Sequence, residues 1–304
     1  MSAFQSTAYL LVSHGSRDSR PQAAMDRLAH LVREELLERR HQSSPPVNTP
    51  QGKQKSIFLK PSKLPLRQDV QSTPQTLNSK GSLMPLVGTA CLEFGFLPLS
   101  QQISAFCQRV EAAGVNRVRI VPIFLLKGIH VMEDIPTEVE QARLQKSTQI
   151  TIEVCPHLGN HPLLRKVLQK RVHEAAVDAL LVLAHGSRRP GGNYAVERLA
   201  RELQAEMAFW AVPPSLEHQV VQMIQLGHQR LAILPYFLFP GGITDAITRL
   251  TEDLAERFPK VNMRLLPPLG ATREIASLIT DLAVHGTAYG SLAALPMPLM
   301  ALRY

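Results

Sequence analysis

Short apolar runs alternate along the chain with longer amphipathic stretches, and this alternation predicts a succession of βαβ units. The strands predicted for the first half are Tyr9–Ser13, Val87–Phe94, Arg117–Phe124 and Gln149–Cys155. Those predicted for the second half are Ala179–Ala184, Met207–Val212, Arg230–Phe237 and Asn262–Leu266. Because the runs are apolar throughout, they are typical of parallel strands that are buried on both faces. The pattern therefore predicts an α/β fold with two parallel sheets, each covered by helices on both faces.

The same order of elements occurs twice, and short motifs repeat with it. His-Gly-Ser-Arg stands at His14–Arg17 and again at His185–Arg188, each time after an apolar run and before a helix-like stretch. RVRIVPIFLLKGIH parallels RLAILPYFLFPGGI, and CPHLGNHPLL parallels LPPLGATREI. Such self-similarity indicates a duplicated domain. It predicts an N-terminal domain at residues 1–160 and a C-terminal domain at residues 161–304.

One segment of the first half, at about residues 41–85, breaks this symmetry. It is rich in Pro, Ser, Gln, Asn and Lys and has no sustained periodicity. Such a composition buries too little apolar surface to order itself. We expect a disordered insertion between the first helix and the second strand.

Composition narrows the class of protein. The net charge of +8 is compatible with a nucleic acid as a partner. However, the sequence has no basic stripe interleaved with aromatic residues, so the charge is explained at least as well by an anionic small substrate. No apolar run has the length of a membrane span, and the N-terminus lacks the pattern of a signal peptide. Cys91, Cys107 and Cys155 form no CxxC pair. We expect a cytoplasmic protein without nucleic-acid or membrane partners.

Three residues of the first half could carry chemistry at the carboxyl ends of strands, where parallel sheets bind their ligands. His14 follows the first strand, Glu93 ends the second, and His130 follows the third. For His14 the alternative is a structural turn in which Ser16 caps the next helix. Glu93 is either a cleft carboxylate or an outward-facing strand residue.

His130 also begins a stretch with Asp134 and Glu138 at helical spacing, so the three side chains are predicted to share one helix face. Pro136 weakens this prediction, because the helix could begin only there. The face is either a path for a cation or protons, or an ordinary solvated acidic surface.

The second half lacks counterparts of Glu93 and His130. We align Glu93 with Ala208 and His130 with Ile243, so only the histidine of the repeated motif, His185, is retained. The first half is therefore predicted to be the active one. Two imidazoles and a carboxylate suit a borderline divalent metal such as Fe²⁺, Co²⁺, Ni²⁺ or Zn²⁺.

With these motifs, the chain resembles the class II tetrapyrrole chelatases of the CbiX/SirB type, the sirohydrochlorin ferrochelatases and cobaltochelatases. The resemblance rests on LLVSHGSRDSRP, LEFGFLP, VPIFLLKGIHVMEDIP and CPHLGNHPLL with their second-half echoes. It implies two flavodoxin-like domains around a cleft. It also implies that His14 and His130 hold the metal and that Glu93 assists as the acid.

The activity implied by the resemblance is insertion of Fe²⁺ or Co²⁺ into sirohydrochlorin, with no permanently bound cofactor and the metal as a substrate. Ser16, Arg17 and Lys127 are the candidates for binding the substrate. We expect a monomer or a transient homodimer. The insertion departs from the family pattern, and the histidine-rich tail and C-terminal cysteine pair of some long members are absent. A non-catalytic metallochaperone or tetrapyrrole-binding protein on the same scaffold is the alternative.

Overall fold

A computed structural model describes residues 7–42, 84–145 and 149–292, with side chains up to residue 286. It contains two four-stranded sheets, one in each half, and every strand pairing is parallel. The first sheet has the order β2-β1-β3-β4, and the second repeats it as β6-β5-β7-β8. The predicted α/β fold with two duplicated domains is confirmed. The predicted insertion at about residues 41–85 lies almost entirely outside the described residues.

The strands of the first sheet are β1 Thr7–Ser13, β2 Val87–Cys91, β3 Arg117–Pro122 and β4 Thr151–Val154. Those of the second are β5 Ala179–Ala184, β6 Glu206–Phe209, β7 Arg230–Pro235 and β8 Asn262–Leu265. The predicted ends of β2, β3, β6 and β7 were two or three residues too long. The chain leaves the sheet there while it is still apolar, because those residues line loops at the sheet's carboxyl edge.

The helices alternate with the strands as the sequence predicts. In the first half they are α1 Ser19–Gln42, α2 Leu99–Ala112, α3 Ile135–Leu144 and α4 Leu164–His173. In the second half they are α5 Tyr194–Glu202, α6 Leu216–Gln225, α7 Gly242–Arg257 and α8 Arg273–Leu292. A π-helical turn, His130–Asp134, precedes α3, and a 3₁₀ turn, Leu158–Asn160, precedes α4. Among the described helices we find no candidate for a membrane-spanning segment.

Each sheet is buried on both faces because successive side chains of a strand point to opposite sides. In β1, Leu10 and Val12 pack with α2 and α3, whereas Tyr9 and Leu11 face α1. The second sheet does the same, with Leu181 and Leu183 towards α6 and α7. The opposite faces of both sheets join one continuous core.

The closing helix of each half reaches across to the other half. Arg119 on β3 donates hydrogen bonds to the carbonyl oxygens of Ala283 and Val284 on α8, at 2.9 and 2.6 Å. Arg171 on α4 donates in turn to the carbonyl oxygens of Pro268 and Leu269 in the second half. These exchanged contacts fix the two sheets relative to one another. The division at residue 160 stays a prediction.

Candidate metal centre

The loop after β1 brings His14 next to the loop after β2. The backbone N–H of Glu93 donates to the carbonyl oxygen of His14 at 2.8 Å, which continues the strand pairing beyond both strands. Gly15 follows with φ +93°, a left-handed conformation that favours glycine. A Cβ at Gly15 would lie 1.9 Å from the carbonyl oxygen of Glu93, so only glycine permits this approach.

Gln102 on α2 holds the loop that carries Glu93. Its side-chain oxygen accepts from the backbone N–H of Cys91 at 3.1 Å. Its amide nitrogen donates to the carbonyl oxygens of Cys91 and Leu97, both at 2.8 Å. One side chain therefore ties both ends of the loop to the helix that follows it.

His130 lies in the π-helical turn before α3. The structure places this turn directly ahead of Ile135, so helical backbone extends upstream of Pro136 and places His130 and Asp134 side by side. The Nδ1 atom of His130 is 2.7 Å from Oδ2 of Asp134. A single π turn inserted in a helix is frequent at functional sites. The contact leaves Nε2 of His130 as the ring nitrogen available for a metal.

The three predicted ligands meet at the carboxyl edge of the first sheet. One ring nitrogen from each of His14 and His130 and one carboxylate oxygen of Glu93 all lie within 4.8 Å of one another. Nε2 of His14 is 3.9 Å from Oε2 of Glu93, and the two imidazole rings are edge-on with centroids 4.7 Å apart. The arrangement is an open set of two nitrogen donors and one oxygen donor.

The side chains of the cluster are accessible to solvent. His14 and Glu93 have side-chain exposures of 46% and 47%, and that of His130 is 29%. A structural zinc site is closed by four protein ligands, whereas three ligands leave positions free for another molecule. The geometry can therefore receive a divalent cation and present it to a neighbouring ligand.

Glu138, the third residue of the predicted helix face, binds the start of α2. Its carboxylate accepts from the backbone N–H of Ser100 at 2.7 Å, which places it on the first turn of α2. It still lines an open pocket of about 320 Å³ together with Leu92, Glu93, Asp134 and Thr137. Glu138 thus joins α3, which follows His130, to α2, which follows Glu93.

The predicted substrate-binding residues occupy different surroundings. The Ser16 hydroxyl accepts from the backbone N–H of Asp18 at 3.0 Å, so it stabilises the turn before α1. The Arg17 guanidinium carbon lies 5.3 Å from the centroid of the Phe94 ring. Lys127 is exposed in the loop after β3. Burial, and after it the charge of Lys127, lowers the pKa of His157.

In the second half the aligned positions offer no comparable set. The carbonyl oxygen of His185 accepts from the backbone N–H of Ala211, as that of His14 does from Glu93. The counterpart of Glu93 is therefore Ala211, and our alignment with Ala208 was wrong, because Ala208 is a buried residue of β6. His-Glu-His is the cluster of possible metal ligands found within the described part of the chain.

A salt bridge joins the two halves at the starts of α1 and α7. The guanidinium group of Arg20, at the start of α1, binds both carboxylate oxygens of Asp245, at the start of α7, at 2.9 and 2.6 Å. It also binds Asp18. Because α1 and α7 begin at the carboxyl edges of their sheets, these edges lie next to each other. Sequence reasoning missed this bridge, since Arg20 and Asp245 share no motif.

Fold and cluster together define a duplicated α/β protein with an open cluster of possible metal ligands in its first half. A family model described as CbiX matches residues 68–175 and again residues 179–285. The chain belongs to this family, and the two matches correspond to its two halves.

Individual relatives agree with this assignment. The sirohydrochlorin cobaltochelatase of Priestia megaterium is 25% identical over 217 residues, which are 66% of this chain and 69% of the relative. The sirohydrochlorin ferrochelatase of the same organism is 24% identical over 57% of this chain and 68% of its own length. Among solved structures, SirB from Bacillus subtilis with Fe³⁺ has a TM-score of 0.65 at 20% identity and covers 95% of this chain and 98% of its own. At that identity the structural match supports the fold alone.

Proposed function

We propose that the protein is a sirohydrochlorin chelatase, a metal-inserting lyase that places Fe²⁺, or alternatively Co²⁺, in the tetrapyrrole. The observation that carries the proposal is the meeting of His14, Glu93 and His130 within 4.8 Å at the edge of the first sheet. Membership of the CbiX family supports the same activity. We propose sirohydrochlorin as the substrate because the two Priestia megaterium relatives are named as sirohydrochlorin chelatases.

The reaction exchanges two pyrrole protons for one divalent cation. His14 and His130 would hold the incoming ion through their ring nitrogens, with Glu93 supplying an oxygen donor and negative charge. As the ion passes to the macrocycle, these groups are released and can take up the two pyrrole protons. Imidazole suits this exchange because it changes its protonation state near neutral pH. The protons then leave to solvent through the exposed side of the site.

The remaining polar residues support this site. Asp134 orients the His130 ring, in the way that carboxylates orient metal-binding histidines in many proteins. Arg17, beside the Phe94 ring, and the exposed Lys127 offer positive charge to a carboxylate-rich substrate. Ser16 keeps the backbone turn that follows His14.

We propose Fe²⁺ as the physiological metal, although nitrogen and carboxylate donors accept Fe²⁺ and Co²⁺ alike. Relatives named for each metal share similar identity with this chain. The choice is therefore tested by rate: under anaerobic conditions and at equal free metal, insertion of Fe²⁺ should be faster than insertion of Co²⁺. A faster reaction with Co²⁺ would assign the chain to cobalt insertion.

The activity itself is tested by absorbance, with purified full-length protein, sirohydrochlorin and each metal under anaerobic conditions. We expect metal insertion by the wild type, its loss in His14→Ala and His130→Ala, and near-normal rates in His185→Ala. His185 is the matched control because it occupies the same motif in the second half. Tetrapyrrole binding without insertion by the wild type would instead indicate a metallochaperone or tetrapyrrole-binding protein.

A further inference from the structure

Phe94 adopts a backbone conformation that bulky residues rarely take. Its φ is +60°, and its side chain is exposed, at 55% of its full surface. Two other non-glycine residues in the described chain have positive φ, Ala176 and Gln204, and each lies just beyond a helix, where left-handed residues are common. Phe94 ends no helix. An aromatic residue in this conformation is strained, and such strain clusters at binding sites.

The surrounding loop enforces the conformation. Gln102 binds the backbone at Cys91 and at Leu97, on either side of Phe94. Gly95 packs so closely that a Cβ there would lie 2.9 Å from both the Cys91 sulfur and the Gln102 amide nitrogen. The loop therefore directs the Phe94 ring into solvent rather than into the core.

The exposed Phe94 ring has a cation and one candidate metal ligand as neighbours. The Arg17 guanidinium carbon is 5.3 Å from the ring centroid, and the His14 ring centroid is 6.5 Å away. Within the part of the chain that the structure describes, no carboxylate lies within salt-bridge distance of Arg17. An apolar face and a cation without an acidic partner thus stand together beside the candidate metal centre.

We propose that Phe94 and Arg17 form a docking pair for the tetrapyrrole. The Phe94 ring contacts the apolar face of the macrocycle, and the Arg17 guanidinium binds one of its peripheral carboxylates. Phe94 is thereby a positioning residue that sets the distance of the macrocycle from His14 and Glu93. This inference rests on the proposed chelatase function and names the residues that hold its substrate.

Replacing Phe94 with glycine separates a binding role from a structural one. Glycine takes a positive φ without strain, so Phe94→Gly should keep or raise the unfolding temperature. The lost ring should raise KM for sirohydrochlorin roughly 10-fold, with a smaller change in kcat. Phe94→Asn, which also tolerates this conformation, should behave in the same way, and Phe94→Tyr should keep the wild-type KM. Phe96→Ala is the control, because Phe96 is fully exposed two residues further along the same loop.

Three measurements on each variant decide the matter: sirohydrochlorin binding by absorbance, Co²⁺ binding without tetrapyrrole, and thermal unfolding. We expect weaker tetrapyrrole binding with unchanged Co²⁺ affinity in Phe94→Gly and Arg17→Gln. Wild-type tetrapyrrole affinity in both would overturn the inference while leaving the chelatase proposal intact. Loss of Co²⁺ affinity or of stability in Phe94→Gly would assign Phe94 a structural role. A wild type that neither binds nor metallates sirohydrochlorin would overturn the proposed function instead.

Discussion

The Nδ1 atom of His130 lies 2.7 Å from a carboxylate oxygen of Asp134, within one π-helical turn. The contact holds the imidazole in one orientation, in which an N–H at Nδ1 donates to the carboxylate. Nε2 is then the ring nitrogen that is left to accept a metal ion. A metal-binding histidine held in this way is a better ligand, because its partner fixes both the tautomer and the direction of the lone pair.

Asp134→Asn should therefore weaken metal binding without preventing folding. We expect a loss of Co²⁺ affinity of about 10-fold to 100-fold, the usual effect of removing such a partner. The measurement is an anaerobic Co²⁺ titration followed by absorbance. Glu133→Gln is the matched control, since it removes the same charge from an exposed neighbour in the same turn. Equal losses in both variants would indicate a general effect of charge rather than orientation of His130.

Gly15 is expected to be essential for the geometry of the cluster, because the backbone after β1 approaches the backbone at Glu93 there. Gly15→Ala combines an unfavourable positive φ with a Cβ 1.9 Å from the Glu93 carbonyl oxygen. The Glu93 loop must move away, so metal affinity should fall together with the free energy of unfolding. Gly114→Ala isolates the first effect, because Gly114 has φ +73° with no atom near its Cβ position. It should lose about 1–3 kcal/mol of stability in urea unfolding and keep its metal affinity. Unchanged metal affinity in Gly15→Ala would contradict the expectation.

Much of the fold could be predicted from sequence because duplication displays every element twice. The motifs at His14 and His185 fixed the first strand of each half, and the apolar runs indicated parallel sheets. Strand ends could not be predicted, because loop residues such as Phe94 and Phe124 are as apolar as the strands that precede them. The exchange of α4 and α8 between the halves was also missed, since apolar periodicity indicates a buried face but not the surface that covers it.

The candidate ligands were found because the two halves of the chain differ at the positions of His130 and Glu93. The second half could therefore be used as a reference for the first. The exact counterpart of Glu93 required the structure, because β2 and β6 are followed by loops of different length. Backbone pairing with His185 identifies Ala211 rather than Ala208. The residues that hold the ligands were harder to predict. Gln102 acts through three hydrogen bonds to backbone atoms, and no motif identifies such contacts.

Gln102 offers a test that uses the duplication itself. Gln219, at the corresponding position of α6, donates one hydrogen bond to the carbonyl oxygen of Met207 and contacts no candidate ligand loop. Gln102→Ala should release the Glu93 loop and lower Co²⁺ affinity by roughly 10-fold. Gln219→Ala should lower the free energy of unfolding by about 1–3 kcal/mol and leave Co²⁺ affinity unchanged. Co²⁺ titration and urea unfolding of both variants provide the comparison. Similar effects of the two substitutions on metal binding would show that Gln102 has no special role in positioning Glu93.

Acid stability should depend on His157, which lies outside the metal cluster. Burial, with a contribution from the charge of Lys127, lowers the pKa of His157 from 6.5 to about 4. Between these two pH values, the unfolded chain therefore binds a proton at His157 and the folded chain does not. The free energy of unfolding should fall as the pH decreases through this window, by up to about 1.4 kcal/mol per pH unit, and the contribution of His157 should level off below it. Hydrogen bonds from Arg20 hold the pKa values of Asp18 and Asp245 below their usual range, so these carboxyl groups act only at lower pH.

Urea unfolding at about pH 7 and about pH 5 measures this slope directly. His157→Gln should reduce the difference in stability between the two conditions, even if the variant is less stable than the wild type at both. A smaller slope should remain, because burial also lowers the pKa of His161. His218→Gln is the control, since His218 is exposed on α6 and should leave the slope unchanged. A wild-type slope in His157→Gln would show that the buried imidazole accepts its proton in the folded state, either through local opening of the segment before α4 or through a neighbouring group that stabilises the charge.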